Sequence, residues 1–376
     1  MPGQGGQMIR PRLALYLPNL DGGGAERMMV NLAAGFAERG FPTDLVLAEA
    51  RGPYLELVAP GVKIIDLASS GVSVSLPKLV RYLSRNRPAA LLATLNHASV
   101  VALLARALSR VPTRVVIRES NMLFPQPASS FRSVSLRRSV RLFYPWADAH
   151  VAVSQGVADD LARYTKINPD KIQTIYNPVV TPELFSRARQ RPAHPWFAPG
   201  EPPVVLGVGR LAQQKDFQTL VRAFAVAAKK RPARLMILGE GNQRTDLEAL
   251  AKALGVGDAV TLPGFVDNPF SYMAHADTFV LSSRFEGLPG ALIQAMACGA
   301  KVVSTDCPSG PYEILRGGQL APLVPVGDAE ALGAAIAESL AAPPNPALQT
   351  RSCDFTEAHI LPQYLQVLLP ETTTHE

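Results

Sequence analysis

Apolar and polar positions fall along this chain in two kinds of block. Short, nearly continuous apolar runs recur at Leu13–Leu17, Asp44–Ala48, Val62–Leu67, Leu91–Leu95, Val115–Ile117, Ala149–Val153 and Ile172–Ile175. Between them lie longer stretches with apolar residues at helical spacing, among them Met28–Arg39, Val100–Leu108 and Ser129–Tyr144. The short runs, bounded by turn residues, predict buried strands, and the spaced stretches predict amphipathic helices. From Pro182 to Pro203 proline and arginine crowd the chain, which reads as a linker. The pattern then restarts, with strands predicted at Val204–Val208, Leu235–Leu238, Ala259–Leu262, Thr278–Leu281 and Lys301–Ser304. Helices are predicted at Phe217–Lys229, Arg244–Leu254, Ala329–Ala341 and Thr356–Leu369. Strands alternating with helices twice over predict an α/β chain of two doubly wound, Rossmann-like domains.

The polar residues that interrupt this pattern gather where strands end. Gly209-Arg210 follows one predicted strand and leads through Lys215 into a helix, and Glu286-Gly287-Leu288-Pro289-Gly290 follows another. Ligands of open α/β sheets bind at the carboxyl ends of the strands. Backbone N–H groups and the helix dipole favour anions there. Arg210 and Lys215 add full positive charges, so this stretch reads as a site for a nucleotide diphosphate. In the first half, Gly22, Gly23 and Gly24 separate the first strand from the first helix, which lets a backbone come close to a ligand and equally suits a flexible turn. His97 follows one strand and Arg118-Glu119-Ser120-Asn121 another, pointing to a single crevice, although a lone histidine is more often structural. On the Ser129–Tyr144 helix, Arg137 and Arg141 are four apart and Arg138 and Arg141 three apart, with Arg132 nearby and no acid between them. Residues so spaced share a side. Such a face suits anionic lipid headgroups or a pyrophosphate as well as plain solvent.

Composition narrows the possibilities. A chain of 376 residues is too long for one hydrophobic core and suits two domains, and 47% hydrophobic with 18% charged residues describes a folded protein. Cys298, Cys307 and Cys353 have neither disulfide nor metal-ligand spacing and read as reduced thiols of a cytoplasmic protein. No signal peptide is visible, and the first apolar run is far too short to span a membrane. The net charge of +6 asks for an acidic partner. No nucleic-acid-binding module accompanies it, so a phosphate patch is the better reading than nucleic acid.

Gly209-Arg210, Lys215, Gly239-Glu240-Gly241, Gly264-Phe265 and Glu286-Gly287-Leu288-Pro289, in this order, make the chain resemble the family-4 retaining glycosyltransferases of the GT-B fold. Asp21 to Arg27 is similar to that family's first-loop signature. Cys307-Pro308-Ser309-Gly310-Pro311 with Glu313-Ile314-Leu315 resembles a branch that adds N-acetylhexosamines to lipid-linked or surface glycans. The resemblance implies two Rossmann-like domains facing across a cleft. Residues 1–182 would bind the acceptor, joined by a C-terminal helix at about 355–376, with 183–203 as linker and 204–354 binding a nucleotide sugar, UDP by expectation. It implies that Arg210 and Lys215 hold the diphosphate and that Glu286 binds the donor sugar. The backbone of Gly287, Leu288 and the neighbours of Pro289, with Gly23 and Gly24 opposite, would line phosphates and sugar, and domain closure would bring Gly22–Gly24 onto the diphosphate. Gly264, Phe265 and Val266 would border the base, and Gly239 and Glu240 would also bind the donor. Glu119 and Asn121 would meet a polyprenyl-pyrophosphate-linked glycan whose phosphates rest on Arg137, Arg138 and Arg141. No metal or other cofactor is implied. The family's second glutamate, eight positions after the first, is Gln294 here, and an amide still serves a ribose diol. Retention would proceed by same-face attack, with the protein cytoplasmic or peripheral on the inner membrane face. A catalytically silent nucleotide-sugar binder on the same scaffold is the alternative, and Glu286 as a helix cap is the plain one for that residue.

Overall fold

The computed structural model describes residues 10–123 and 131–370. The chain divides into two compact units: one of residues up to Val153, Val157–Pro178 and from Ile360 onward, the other of Ser154–Gly156 and Val179–His359.

The first unit is built on β1 (Leu13–Leu17), β2 (Thr43–Leu47), β3 (Val62–Asp66), β4 (Ala90–Thr94), β5 (Arg114–Glu119), β6 (Ala149–Ala152) and β7 (Ile172–Thr174). They pair in parallel in the order β3-β2-β1-β4-β5-β6-β7. Every residue of β1, β2 and β4 is buried, which is why those segments are continuous rather than alternating apolar runs. One face packs on the Gly24–Glu38 helix and on the Glu357–Leu368 helix, whose Leu361, Tyr364 and Val367 enter that core. The other face packs on the Leu76–Asn86, Asn96–Ser109 and Phe131–Phe143 helices. The first helix begins at Gly24, four residues ahead of the expected Met28, with Gly23 as its N-cap. The cost of a helical glycine, about 1 kcal/mol, is small beside the burial of the turns that follow.

The second unit carries β8 (Val204–Val208), β9 (Arg234–Leu238), β10 (Val260–Gly264), β11 (Thr278–Leu281), β12 (Val302–Thr305) and β13 (Leu323–Val324), parallel in the order β10-β9-β8-β11-β12-β13. The two-residue edge strand β13 is too short to leave a pattern in the sequence. The 183–203 stretch is not bare linker: a helix, Pro182–Ala188, starts on the side chain of Thr181 and packs on the Pro269–His275 helix. Arg187 there pairs with Asp267 at 2.7 Å. The Phe217–Lys230 and Ala329–Ala341 helices lie against each other on one face of the sheet, closest at Gly333. A Cβ at Gly333 would sit 2.6 Å from the carbonyl oxygen of Ala223. Gly333→Val is therefore expected to lower stability by about 1–3 kcal/mol, read as a shift in the urea midpoint of unfolding.

Candidate functional site

In the second sheet the chain reverses direction of travel between β8 and β11, which are neighbours although far apart in sequence. The loops leaving these two strands therefore diverge and open a crevice between them. The loop after β8 carries Gly209, Arg210 and Lys215, and the loop after β11 carries Ser282 to Pro289. Hydrogen bonds stitch the two together. Ser282 Oγ donates to the carbonyl of Lys215 at 2.7 Å, Arg284 N to that of Gln214 at 2.8 Å, and Gln214 Nε2 to that of Phe285 at 3.0 Å. At the centre, Lys215 Nζ lies 2.6 Å from Glu286 Oε1, an oxygen that also accepts from Ser283 Oγ at 2.6 Å. Glu286 is 7% exposed, so this ion pair is shielded from water and much stronger than one on the surface. Arg210 lies on the same loop as Lys215, exposed and without an ion-pair partner among the described residues.

The loops after β9 and β10 complete the rim. Leu211 N donates to the carbonyl of Glu240 at 2.8 Å and Gly239 N to that of Gly264 at 2.8 Å. Gly239, at φ +136°, has Gly209 so close that a Cβ would lie 2.0 Å from its carbonyl oxygen; only glycine fits. Phe265 is 81% exposed at the end of β10, with Val266 half-buried next to it. Gly287, Leu288 and Pro289 form the turn into the Gly290–Ala297 helix. The N-cap of that helix is Pro289, three residues after Glu286. Glu286 is therefore no cap, because its carboxylate is committed to Lys215 and Ser283. Gln294 lies on the helix, half-buried, with its amide 3.4 Å from the carbonyl of Val179. Glu240 pairs with Arg244 at 2.7 Å on the surface. Burial pushes the Cys298 and Cys307 thiols up to about 12, so both are inert at neutral pH.

The residues expected to meet an acceptor are scattered within the first unit. Glu119 is 3% exposed and accepts from the Tyr144 hydroxyl at 2.5 Å, so it turns into the core rather than outward. Burial raises its carboxyl to about 7, against the lowering pull of Tyr144 and Arg118. Asn121 is exposed just beyond β5, and Arg138 and Arg141 are exposed on the helix, with Arg137 half-buried. Gly22 and Gly24 are exposed at the end of β1, Gly22 at φ +112°. Arg118, grouped by the sequence with a strand-end crevice, is instead fully buried between Asn177 and the Tyr364 hydroxyl, and a cavity of about 860 Å³ opens nearby with His97 in its wall. Asn19, Ser69, Ser73, His97, Leu136 and Ser139 are among its walls. The cavity lies where β1 and β4 part, the reversal point of this sheet. Its lining is drawn from five separate segments, which no local motif could signal.

Known proteins share this arrangement. Residues 22–182 match the family model described as Glycosyltransferase Family 4, and residues 202–342 match Glycosyl transferases group 1. The chain is 30% identical to the N-acetylgalactosamine-N,N'-diacetylbacillosaminyl-diphospho-undecaprenol 4-alpha-N-acetylgalactosaminyltransferase of Campylobacter jejuni, covering 84% of this chain and 86% of that one. It is 28% identical to the lipopolysaccharide core biosynthesis glycosyltransferase LpsE of Rhizobium meliloti, over 92% and 96% of the two. Among solved structures, Anabaena HepE in complex with UDP-glucose superimposes with a TM-score of 0.78 at 20% identity, covering 96% of this chain and 99% of that one.

Two measurements check this geometry. Lys215→Met leaves Glu286 buried without its cation and is expected to cost about 3 kcal/mol; adding Glu286→Gln recovers part of that loss in a double-mutant cycle. Glu119 holds a proton up to about pH 7 in the fold but only to about pH 4.5 when unfolded, so its contribution to stability declines as pH rises through that window. His150, pushed down to about 4 by burial, pulls the other way, so variant and parent must be compared. Glu119→Gln should gain up to about 3 kcal/mol on the parent between pH 5 and pH 8, measured by chemical denaturation.

Proposed function

The chain belongs to the family-4 glycosyltransferases, and from that premise we propose that it moves a hexose or N-acetylhexosamine from UDP to a hydroxyl of a lipid-linked glycan, with retained anomeric configuration. The observation that carries the reading is the Lys215–Glu286 pair at the carboxyl ends of β8 and β11, with Arg210, exposed and without an ion-pair partner among the described residues, on the same loop as Lys215. A sugar nucleotide leaves behind a diphosphate whose charge grows as the glycosidic bond breaks. Two fixed cations stabilise that charge without a metal ion. In this reading Arg210 and Lys215 hold the diphosphate, and Glu286 both orients Lys215 and accepts hydrogen bonds from the donor sugar. Gln294 binds the ribose diol, and Gly264, Phe265 and Val266 border the base. The acceptor oxygen attacks the anomeric carbon on the face from which the diphosphate departs. The new C–O bond forms as the old one breaks, and the hydroxyl proton passes to the leaving phosphate.

UDP is favoured as carrier because HepE was solved with UDP-glucose, and a lipid-linked acceptor because the Campylobacter relative is named for a diphospho-undecaprenol substrate. Among the described residues no helix is long and apolar enough to cross a membrane. Peripheral action at the inner face of the cell membrane therefore fits a lipid-borne acceptor, with the arginines of the Phe131–Phe143 helix on the phosphate-bearing side.

Incubation with a panel of UDP-sugars and an undecaprenyl-diphosphate-linked glycan should yield a product one sugar longer by mass spectrometry, at a rate unchanged by EDTA. Arg210→Ala should lower kcat by about 10²–10³-fold. Glu286→Ala as active as the parent would remove its assigned role, and UDP binding without turnover across the panel would favour a silent sugar-nucleotide sensor.

A further inference from the structure

The Pro182–Ala188 helix opens the stretch that the sequence marks as linker, and it is too short to be stable by itself. It buries Leu184 and Ala188 and packs on the Pro269–His275 helix. From there Arg187 reaches the turn that joins β10 to the Pro269–His275 helix. Its Nη2 donates to both the backbone carbonyl and the carboxylate of Asp267, the latter at 2.7 Å, and its Nη1 donates to Glu183 Oε1 at 3.0 Å. The guanidinium also lies over the Phe270 ring, 5.8 Å from its centroid. Asn268 bonds in the other direction: Nδ2 donates to the carbonyl of Arg187 at 3.0 Å and to Gln190 Oε1 at 2.9 Å. Its Oδ1 accepts from Ser271 N at 3.4 Å and caps the helix that follows.

The other end of the turn is fixed as well, since the Gly264 carbonyl accepts from Gly239 N at 2.8 Å. Phe265 and Val266 lie between these two anchors, and Phe265 is 81% exposed. A single exposed aromatic ring calls for no explanation by itself. An exposed ring on a short turn held at both ends is a stacking surface kept in place, and aromatic rings stack on the faces of nucleobases. A turn already held in its binding conformation gives up little further freedom when a base arrives. As a strut for the fold the Arg187–Asp267 pair is weak, because the Asp267 side chain is 95% exposed and such surface pairs add little to stability. Its effect falls instead on where the turn is held.

We propose that Arg187 is a positioning residue for the nucleotide base: it fixes the turn at residues 264–268 on which the base of the donor rests, so that a helix of the linker stretch sets donor affinity. This rests on the reading that Gly264, Phe265 and Val266 border the base. Arg187 itself needs no contact with the nucleotide. Arg210 and Lys215 stand on the loop after β8, so removing Arg187 leaves the cations assigned to the diphosphate in place.

Titration calorimetry of uridine, UDP and inorganic pyrophosphate against the full chain separates the two halves of the ligand. Arg187→Met keeps an unbranched stem without the hydrogen bonds and should weaken uridine and UDP alike by about 5–10-fold, with pyrophosphate binding unchanged. Arg187→Lys, which keeps the charge without the planar fork, should recover part of that loss. Asp267→Ala, at an exposed position, should weaken uridine by about 2–3-fold, because the bond to its backbone carbonyl remains. In each variant the urea midpoint of unfolding should stay close to the parent's. Phe265→Ala reports on the base reading itself. If it weakens uridine binding while Arg187→Met and Asp267→Ala do not, the proposal is overturned and the base reading stands. If Phe265→Ala leaves uridine binding at the parent's level, the base reading fails and the proposal with it. Weakening of pyrophosphate by Arg187→Met as large as that of uridine would overturn the proposal in favour of a general loosening of the unit.

Discussion

A lysine and a glutamate held 2.6 Å apart, both largely out of water, fix the geometry of the second unit's strand ends. Burying the pair has a desolvation cost that only close approach and further hydrogen bonds can offset. Ser283 supplies one such bond to the carboxylate, and the neighbouring loop supplies backbone stitches on both sides. The pairing is possible because β8 and β11 are adjacent in the sheet while their exits lead to opposite sides. An isolated loop carrying Lys215 would wander; tied to Glu286 it presents a cation in a fixed place. Arg210, left unpaired on the same loop, then offers a second charge at no cost in stored contacts. Such preorganisation is what an anion with growing charge requires.

The first unit holds its polar groups differently. Arg118 and Glu119 are consecutive on β5, so their side chains point to opposite faces of the sheet. Arg118 meets Asn177 and Tyr364 on one face, and Glu119 meets Tyr144 on the other. Arg118 thereby ties the C-terminal helix to the strand that ends beside Asn121. Glu119 exchanges a ligand-binding role for a buried, proton-holding one. The open ground of this unit lies instead in the cavity where β1 and β4 part and on the arginine-bearing end of its helices.

Much of this was legible in the sequence. Continuous apolar runs marked the buried parallel strands within a residue or two, because a strand covered on both faces has no polar side to show. Gly209-Arg210, Lys215 and Glu286 stood out because charge and glycine directly after such a run fall at the strand ends, where the fold brings Lys215 and Glu286 together. Burial of individual polar residues was not legible. Glu119 closes β5 and is held in the core by the Tyr144 hydroxyl, whereas Asn121 lies two residues beyond the strand in solvent, a difference set by a residue distant in sequence. Nor could the helix start at Gly24 be read, since three glycines give no capping signal. The Pro182–Ala188 helix was hidden because proline, a breaker inside a helix, is a good first residue.

The claim on which the account turns is that the loops after β8 and β11 bind a diphosphate through charge. Titration calorimetry of UDP and of uridine against the parent and against Arg210→Ala with Lys215→Ala tests it most directly. The account predicts that the parent binds UDP far more tightly than uridine, that added salt narrows the difference, and that the double variant abolishes it. Equal affinity of the parent for UDP and uridine, or a double variant that keeps the full preference for UDP, would contradict it.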